Sequence, residues 1–573
     1  MTLVGGGIAT LLSCLPTSSS LYNPRRSHTV AVIWATFCFK FDAMELPGQQ
    51  IDAAFAYHAL DHVLNLDIKA EPGCLRLTSI MASVGKSTSN AEIMEKMMEA
   101  GMNIALLNLC FGTKDEHLET IKLLRKAAKS YSVKMGRHYP LCIAARLTGR
   151  KIRTGTIADT YGDSCELKMG EVVRLTTDET YKDRCCMYTV YVDFPGFNEQ
   201  VSMGDMICID NDMILLKVQL ITISAVTCKV ERGGILGSYK DVFVPNVEFD
   251  MPNYSDRDKI YIDMAIHQQL DILIASFVHD ERALLELKNL LGEKGKKIAV
   301  MADIQTMLAF LRFDQILENS DAVIVTRQEL GSEITPKKIV LAQKNLIARA
   351  NKANVPVFVN AQLLSSMRNV KLPLRAELMD IGNCVLDGAD GLVLSSETAV
   401  GIYPVEAVAC MASTCKEAEA CVWTKQFFLD IVDHTYFPCD QASSLAMAAV
   451  LAAQRLMAAG IVVLTTNLRS AYLVAKFRPR CPILAVTRYM PIAKQLHMWR
   501  GVIPLLYEET PDPEWQTDIE KRVFFATKWA TQQGFMRIGD PIVILSGWRH
   551  GSTNTCSLRI HFVETILYTN IMI

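Results

Sequence analysis

Leu270-Asp271-Ile272-Leu273-Ile274-Ala275-Ser276 is a short apolar run, followed by a helical stretch, Glu281–Leu291, and a second run, Lys297-Ile298-Ala299-Val300-Met301-Ala302-Asp303-Ile304. Both runs are too short for a helix and too continuously apolar for a strand with one wet face, so they read as buried parallel strands. Between them Leu284, Leu287 and Leu291 recur at i, i+3 and i+7, while Glu286, Lys288 and Asn289 are left for solvent. Outward from this unit the pattern repeats, with further runs at Arg76–Val84, Ile104–Leu109, Leu141–Leu147, Asp321–Thr326, Val355–Ala361 and Gly391–Ser396. Parallel strands joined by helices need right-handed crossovers, so these repeats close into an α/β fold, a (β/α)₈ barrel. Its chemistry belongs at the C-terminal ends of the strands.

The barrel is interrupted once. From 149 to 252 helical periodicity disappears, and Glu171–Thr177, Met187–Asp193, Met206–Ile209, Met213–Ile223 and Val226–Val230 read as strands between Gly, Pro, Asp and Asn turns. A small all-β domain inserted there lies over the barrel mouth as a lid. After 420 a separate α/β unit begins, with strands at Ile461–Thr465, Pro482–Thr487, Val502–Tyr507 and Ile542–Gly547. Helical patterns alternate with them, so an open, mostly parallel sheet is expected. The loops Thr465–Ser470 and Ser546–Ser552 carry hydroxyls and backbone donors at one edge of that sheet, which suits a phosphate.

At 573 residues the chain is too long for one core, and 50% hydrophobic with 21% charged residues is a globular composition. A net charge of −2 gives no global attraction to nucleic acid or to a membrane. The 17 cysteines include no C-x-x-C, so neither a disulfide framework nor a zinc site is implied, and reduced thiols in a cytoplasmic protein are expected. The 26 methionines read as plastic core filling. Gly5–Leu15 is apolar without a preceding basic residue, and Ala31–Phe39 is too short to cross a bilayer. Residues 1–41 are read as a disordered leader, with Met44 as an alternative start.

Several stretches carry a resemblance. Gly101-Met102-Asn103-Ile104-Ala105, Lys151-Ile152-Arg153-Thr154-Gly155, Leu290-Leu291-Gly292-Glu293-Lys294-Gly295-Lys296 and Val385-Leu386-Asp387-Gly388-Ala389-Asp390 closely resemble pyruvate kinase. So do Leu374-Arg375-Ala376-Glu377, Leu394-Ser395-Ser396-Glu397-Thr398-Ala399, Phe477-Arg478-Pro479-Arg480-Cys481-Pro482-Ile483 and Ser546-Gly547-Trp548-Arg549. The match is colinear from about Phe41 onward. The resemblance implies a helical N-terminal segment (42–75), a barrel (76–148 and 253–420), an inserted β domain (149–252) and a C-terminal effector domain (421–573). It also implies tetramers and a glycolytic transfer of phosphoryl from phosphoenolpyruvate to ADP with Mg²⁺ and K⁺.

Where the family reads S-K-[IV]-E-N, this chain reads Ala302-Asp303-Ile304-Gln305-Thr306, so the catalytic lysine is Asp303 and one Mg²⁺ carboxylate is Gln305. Changing +1 to −1 at ~4 Å from a phosphate is worth several kcal/mol in the wrong direction at an effective dielectric near 20. The family's A-R-G-D-L-G is Thr326-Arg327-Gln328-Glu329-Leu330-Gly331, which keeps Arg327 and a Mg²⁺ carboxylate, Glu329, but crowds the substrate carboxylate with Gln328. A-T-Q becomes Asn360-Ala361-Gln362, losing the hydroxyl that helps protonate the enolate. The phosphate-binding arginine is Leu106, and the K⁺ positions are Asn108, Cys110, Arg146 and Leu147, with Arg146 placed to substitute its own charge for the ion. Phe111, Arg153 and Lys240 match the nucleotide side.

In the effector domain Thr465, Thr466, Asn467, Arg469 and Ser470, with Trp515 and Arg522, match a sugar-bisphosphate site in which Leu468 replaces a glycine. Gly85-Lys86-Ser87-Thr88 ends like a Walker A loop but lacks its first glycine, since position 80 is Ile80, and reads as an exposed loop. Three functions remain: a diverged paralogue that keeps fold and assembly with little or no activity and either binds a nucleotide or joins tetramers with an active relative as a regulatory subunit, an active pyruvate kinase with a compensated site, and a purely structural protein.

Overall fold

The computed structural model describes residues 50–210, 213–245, 247, 249–548 and 555–564. The leader expected over 1–41, the first residues of the N-terminal segment and 549–552 of the Ser546–Ser552 loop lie outside them. Eight parallel strands close into a barrel: β1 (Ser79–Val84), β2 (Ile104–Asn108), β3 (Cys142–Arg146), β4 (Ile272–Ala275), β5 (Ala299–Ile304), β6 (Ala322–Thr326), β7 (Val357–Asn360) and β8 (Gly391–Leu394). Each strand neighbours the next in sequence, and β1 closes on β8. β1 begins later than the apolar run because the Leu77 and Thr78 amides donate to the Glu419 carboxylate at 2.7 Å each, outside the strand ladder.

Side chains alternate faces along a strand. On β3 Ile143 and Ala145 pack outward under the helices, while Cys142 and Ala144 fill the barrel; on β5 Val300 and Ala302 face out, while Ala299 and Met301 face in. The same period puts Arg146 and Asp303 at the top of the barrel interior, above an apolar layer that includes Leu106, Ile274, Met301 and Ile324. The helix Glu281–Gly295 buries Leu284, Leu287 and Leu291, the stripe expected of it.

The inserted domain leaves the barrel after β3 at Gly149, whose φ of +66° and close approach, with a Cβ that would lie 2.4 Å from the Ser276 carbonyl oxygen, exclude a side chain. Its seven-stranded sheet and two-stranded ribbon enclose a separate core that includes Val173, Val190 and Val226. The strands Ile152–Arg153, Ser164–Leu167, Gly234–Gly237 and Asp241–Phe243 were not legible in the sequence. They are two to four residues long, too short for a period of two to register.

The C-terminal domain has the strand order Val502–Leu506, Ile483–Thr487, Gly460–Leu464, Pro541–Ser546, Ser557–Phe562, parallel except for the last, an antiparallel edge. It is fastened to the N-terminal end of the barrel by a buried bidentate pair, Arg478 to Asp390 at 2.8 and 2.9 Å. Gln495 adds bonds to the Asp271 and Lys297 carbonyls at 3.0 and 2.8 Å. The opposite, C-terminal end of the barrel is left to the inserted domain.

Candidate functional site

Of the strand-end residues singled out by sequence, Arg146, Asp303 and Asn360 meet at the C-terminal mouth of the barrel. Asp303, fully buried, forms an ion pair with Arg146 Nη2 across the barrel interior. Thr326 Oγ1 donates to Asp303 Oδ1 at 2.6 Å and accepts from Arg146 Nη2 and Asn360 Nδ2, both at 3.2 Å. Ser395 Oγ extends the chain to Asn360 Oδ1 at 2.8 Å, and its amide donates to Glu397 at 2.8 Å. The mouth is therefore a closed polar network whose two central charges cancel. Leu106, where an arginine was expected by resemblance, is 2% exposed and packs within the apolar layer below.

Arg327 is held from two sides. Its Nη1 donates to Asp380 Oδ1 at 2.8 Å, and its Nη2 donates to the Ala361 carbonyl at 2.6 Å. Ala361 and the following Gln362 have φ of +76° and +57°, so two consecutive non-glycine residues sit in the left-handed region after β7. Such backbone is costly and collects at ligand-facing loops. Gln328 occupies the first turn of the helix Arg327–Glu333 and is half-buried.

The positions matched to metals divide. Glu329 Oε2 is buried without a hydrogen-bond partner, and Gln305 Oε1 accepts from the Phe277 amide at 2.8 Å, which leaves a second lone pair; both residues line the same cleft. Hard oxygen donors of this kind fit a magnesium ion, with one carboxylate in place of two. At the matched K⁺ position Asn108 Oδ1 accepts the Cys110 amide at 3.1 Å, Cys110 and Leu147 offer no side-chain oxygen, and Arg146 brings a fixed positive charge. Among the described residues no group of three or more His, Cys, Asp or Glu side chains is arranged to hold a metal.

On the nucleotide-matching side the cations already have partners. Arg153 Nε donates to Asp241 Oδ1 at 3.1 Å, its Nη1 donates to the Cys110 carbonyl at 3.3 Å, and the guanidinium lies 5.3 Å from the Phe111 ring centre. Lys240 pairs with Asp210 at 2.6 Å, and Lys151 joins Arg153 on Asp241. Sequence reasoning missed Asp210, in a turn, and Asp241, opposite Arg153 on the next strand, because nothing in their spacing marks either carboxylate as the partner of a distant cation. It also missed Thr326 as the hinge of the Asp303 network, although the inward period of β6 points to it.

The effector-type residues lie together in the C-terminal domain, apart from the mouth. Arg469 pairs with Asp440 at 2.7 Å, and its amide donates to Asn467 Oδ1 at 3.0 Å. Thr465 Oγ1 donates to the Asn467 carbonyl, the Ser470 and Thr555 hydroxyls are bonded to each other, and Thr466 is exposed. Arg522 is turned onto Asp518 at 2.8 Å, with Arg488 on the same carboxylate at 2.6 Å and the Trp515 ring centre at 5.3 Å. Burial alone would raise the Asp518 carboxyl, but these guanidiniums and the Asp512 amide outweigh it and hold the group below the usual range. The Gly85–Thr88 stretch is a single 3₁₀ turn closed by the Gly85 amide on Thr88 Oγ1 at 2.8 Å, with no phosphate-cradling loop.

No helix among the described residues is long and apolar enough to cross a membrane. Comparison with known proteins agrees with the architecture. A family described as "Pyruvate kinase, barrel domain" matches residues 75–408, and one described as "Pyruvate kinase, alpha/beta domain" matches 443–561. The chain is 39% identical over 512 residues to a protein named pyruvate kinase PKLR from Rattus norvegicus, covering 89% of each chain. The corresponding human protein is 40% identical over the same shares, and a pyruvate kinase from Candida albicans is 36% identical over 88% of this chain and 99% of its own.

Proposed function

The chain belongs to the pyruvate kinase family, and from that membership we propose that it keeps the family's scaffold and assembly while transferring little or no phosphoryl from phosphoenolpyruvate to ADP. One observation carries this reading: the buried Asp303 carboxylate, paired with Arg146 and Thr326, stands where the family has its lysine. Phosphoryl transfer is catalysed mostly by positioning and by surplus positive charge around the migrating group. Arg146 does not supply that surplus, because its charge is cancelled by Asp303. Arg153 and Lys240 are similarly committed to Asp241 and Asp210.

Glu329 and Gln305 are the residues that would hold Mg²⁺, weakly, and the bound ion would neutralise phosphate oxygens. At the K⁺ position the Arg146 guanidinium excludes the ion, but its charge is spent on Asp303. Leu372, Leu374, Met379 and Ile402 are at least 61% exposed on neighbouring segments after β7 and β8. An apolar patch of that kind suits assembly. We assign the protein to cytoplasmic homo- or hetero-tetramers, in the latter case as a regulatory subunit beside an active relative.

The test is a coupled assay with phosphoenolpyruvate, ADP, Mg²⁺ and K⁺, run beside the rat relative. Turnover at least about a thousandfold lower, a barrier higher by some 4 kcal/mol, is expected. Turnover within about tenfold would overturn the reading in favour of an active kinase with a compensated site. Co-purification with an active relative supports the regulatory role, whereas a strict homotetramer without ligand affinity supports a structural one.

A further inference from the structure

We propose that the cleft between the inserted domain and the barrel mouth binds a small amphipathic monoanion, a carboxylic acid with an aryl or branched-alkyl body, its carboxylate on Arg150. The proposal deepens the reading above, in which this cleft no longer serves phosphoryl transfer.

The cavity is about 420 Å³, and Phe243, Phe249 and Met251 of the insert face Phe277, Leu308 and Leu311 of the barrel across it. That size and lining are those of small-molecule sites, which combine apolar walls with a few polar groups. Leu311 belongs to the short helix Met307–Leu311 directly after β5 and is 63% exposed, so a ligand body seated there removes apolar surface from water.

Charge selects the head group. Lys151 and Asp241 also line the cavity but neutralise each other. Arg150 has no carboxylate partner among the described residues: its Nη1 lies 3.4 Å from His279 Nδ1, and its Nε is buried without a hydrogen bond. A buried guanidinium N–H left unpaired is costly, and a carboxylate is the acceptor that fits its fork. Against this single cation stand Glu329, with its unpartnered Oε2, and Glu333, which accepts the Met307 amide. Two carboxylates beside one guanidinium leave the cleft without surplus positive charge, which disfavours a di- or triphosphate; a single carboxylate is accepted through the unpaired N–H of the Arg150 fork, not through the overall charge of the cleft.

The full-length protein is titrated calorimetrically with 4-phenylbutyrate in the absence of divalent ions, with butyrate, 4-phenylbutylamine and ADP as comparisons. One site per chain is expected, with butyrate and ADP at least about tenfold weaker than 4-phenylbutyrate. Arg150→Gln and, separately, Leu311→Asp at an exposed position each weaken phenylbutyrate by about tenfold or more, while Lys528→Ala, at an exposed position of the C-terminal domain, leaves it unchanged. Saturable binding that Arg150→Gln does not weaken, tighter binding of the amine, or no heat up to roughly 10 mM overturns the proposal. Phosphoenolpyruvate turnover is measured on the same samples. Turnover with phenylbutyrate binding intact overturns the loss of catalysis alone, and absence of both overturns this site alone.

Discussion

Arg146→Leu is the most direct perturbation of the barrel mouth, because it leaves Asp303 buried with one hydrogen bond, from Thr326 at 2.6 Å. The two side chains are 0% and 13% exposed, so little solvent screens the pair. Two unit charges at about 4 Å in an effective dielectric near 20 attract by roughly 4 kcal/mol. The Thr326 bond is present in parent and variant alike and offsets none of this. A destabilisation of about 3–4 kcal/mol is expected, within what breaking a buried pair costs. A multidomain chain has no single unfolding free energy, so the readout is amide hydrogen exchange in β3, β5 and β6, which accelerates roughly 150-fold for 3 kcal/mol. The double variant Arg146→Leu with Asp303→Leu returns to within about 1 kcal/mol of the parent, since an apolar replacement leaves no buried charge. Exchange within about threefold of the parent in the single variant refutes the reasoning, because it would mean that Asp303 is not held by a buried ion pair.

Asp303→Lys combined with Gln305→Glu stays below about one-thousandth of the rat relative's turnover in the coupled assay, because Leu106, Gln328 and Ala361 persist and Arg146 then faces a second cation. A rate within about tenfold of that relative contradicts this. Burial, reinforced by Arg76 and Arg137, pushes the His497 imidazole down to about 3, whereas the unfolded chain takes up that proton near pH 6.5. The unfolded state therefore binds more protons in that window, and the contribution to stability is full above about pH 6.5 and drains as pH falls towards 3. His497→Leu flattens the dependence on pH of the hydrogen-exchange protection factors in Val502–Leu506 between about 6.5 and 4, and an unchanged slope would falsify the assignment. Asp518→Ala strips a buried partner from both Arg488 and Arg522 and loosens the C-terminal sheet by about 3 kcal/mol, read by hydrogen exchange in Pro541–Ser546.

The barrel was legible because every strand of it is buried on both faces, which writes a continuous apolar run, and every crossover is a helix with an apolar stripe. The same physics hid the short strands of the insert: Ile152–Arg153 and Asp241–Phe243 owe their pairing to the sheet around them, not to a local pattern. At the site, identity of residues was readable and pairing was not. Asp303 and Arg146 are 157 positions apart, and no local rule joins them. Arg153 and Lys240 read as free cations for a nucleotide, yet Arg153 meets Asp241 across the strand pair and Lys240 meets Asp210 from a turn of the insert. Arg522 read as a phosphate ligand, but its helix places Asp518 one turn before it, the i,i+4 relation that sequence alone could have flagged.

Arg146 and Asp303 are a single change in physical terms. β4 lies between their strands, pairing Ile274 with Arg146 on one side and Ala275 with Ala302 on the other. In an eight-stranded barrel the inward side chains of alternate strands share a layer, so inward residues at the top of β3 and β5 meet over β4. Either charge alone would be buried and unpaired, at a cost of several kcal/mol against a total stability of only about 5–15 kcal/mol. Each therefore constrains the other, and restoring a cation on β5 without removing the one on β3 sets two positive charges against Thr326. On the function proposed above, a mouth stabilised in this way has exchanged the surplus charge that a migrating phosphate requires for internal neutrality. The ligand site proposed above is then the cleft beside it, where Arg150 has no carboxylate partner among the described residues.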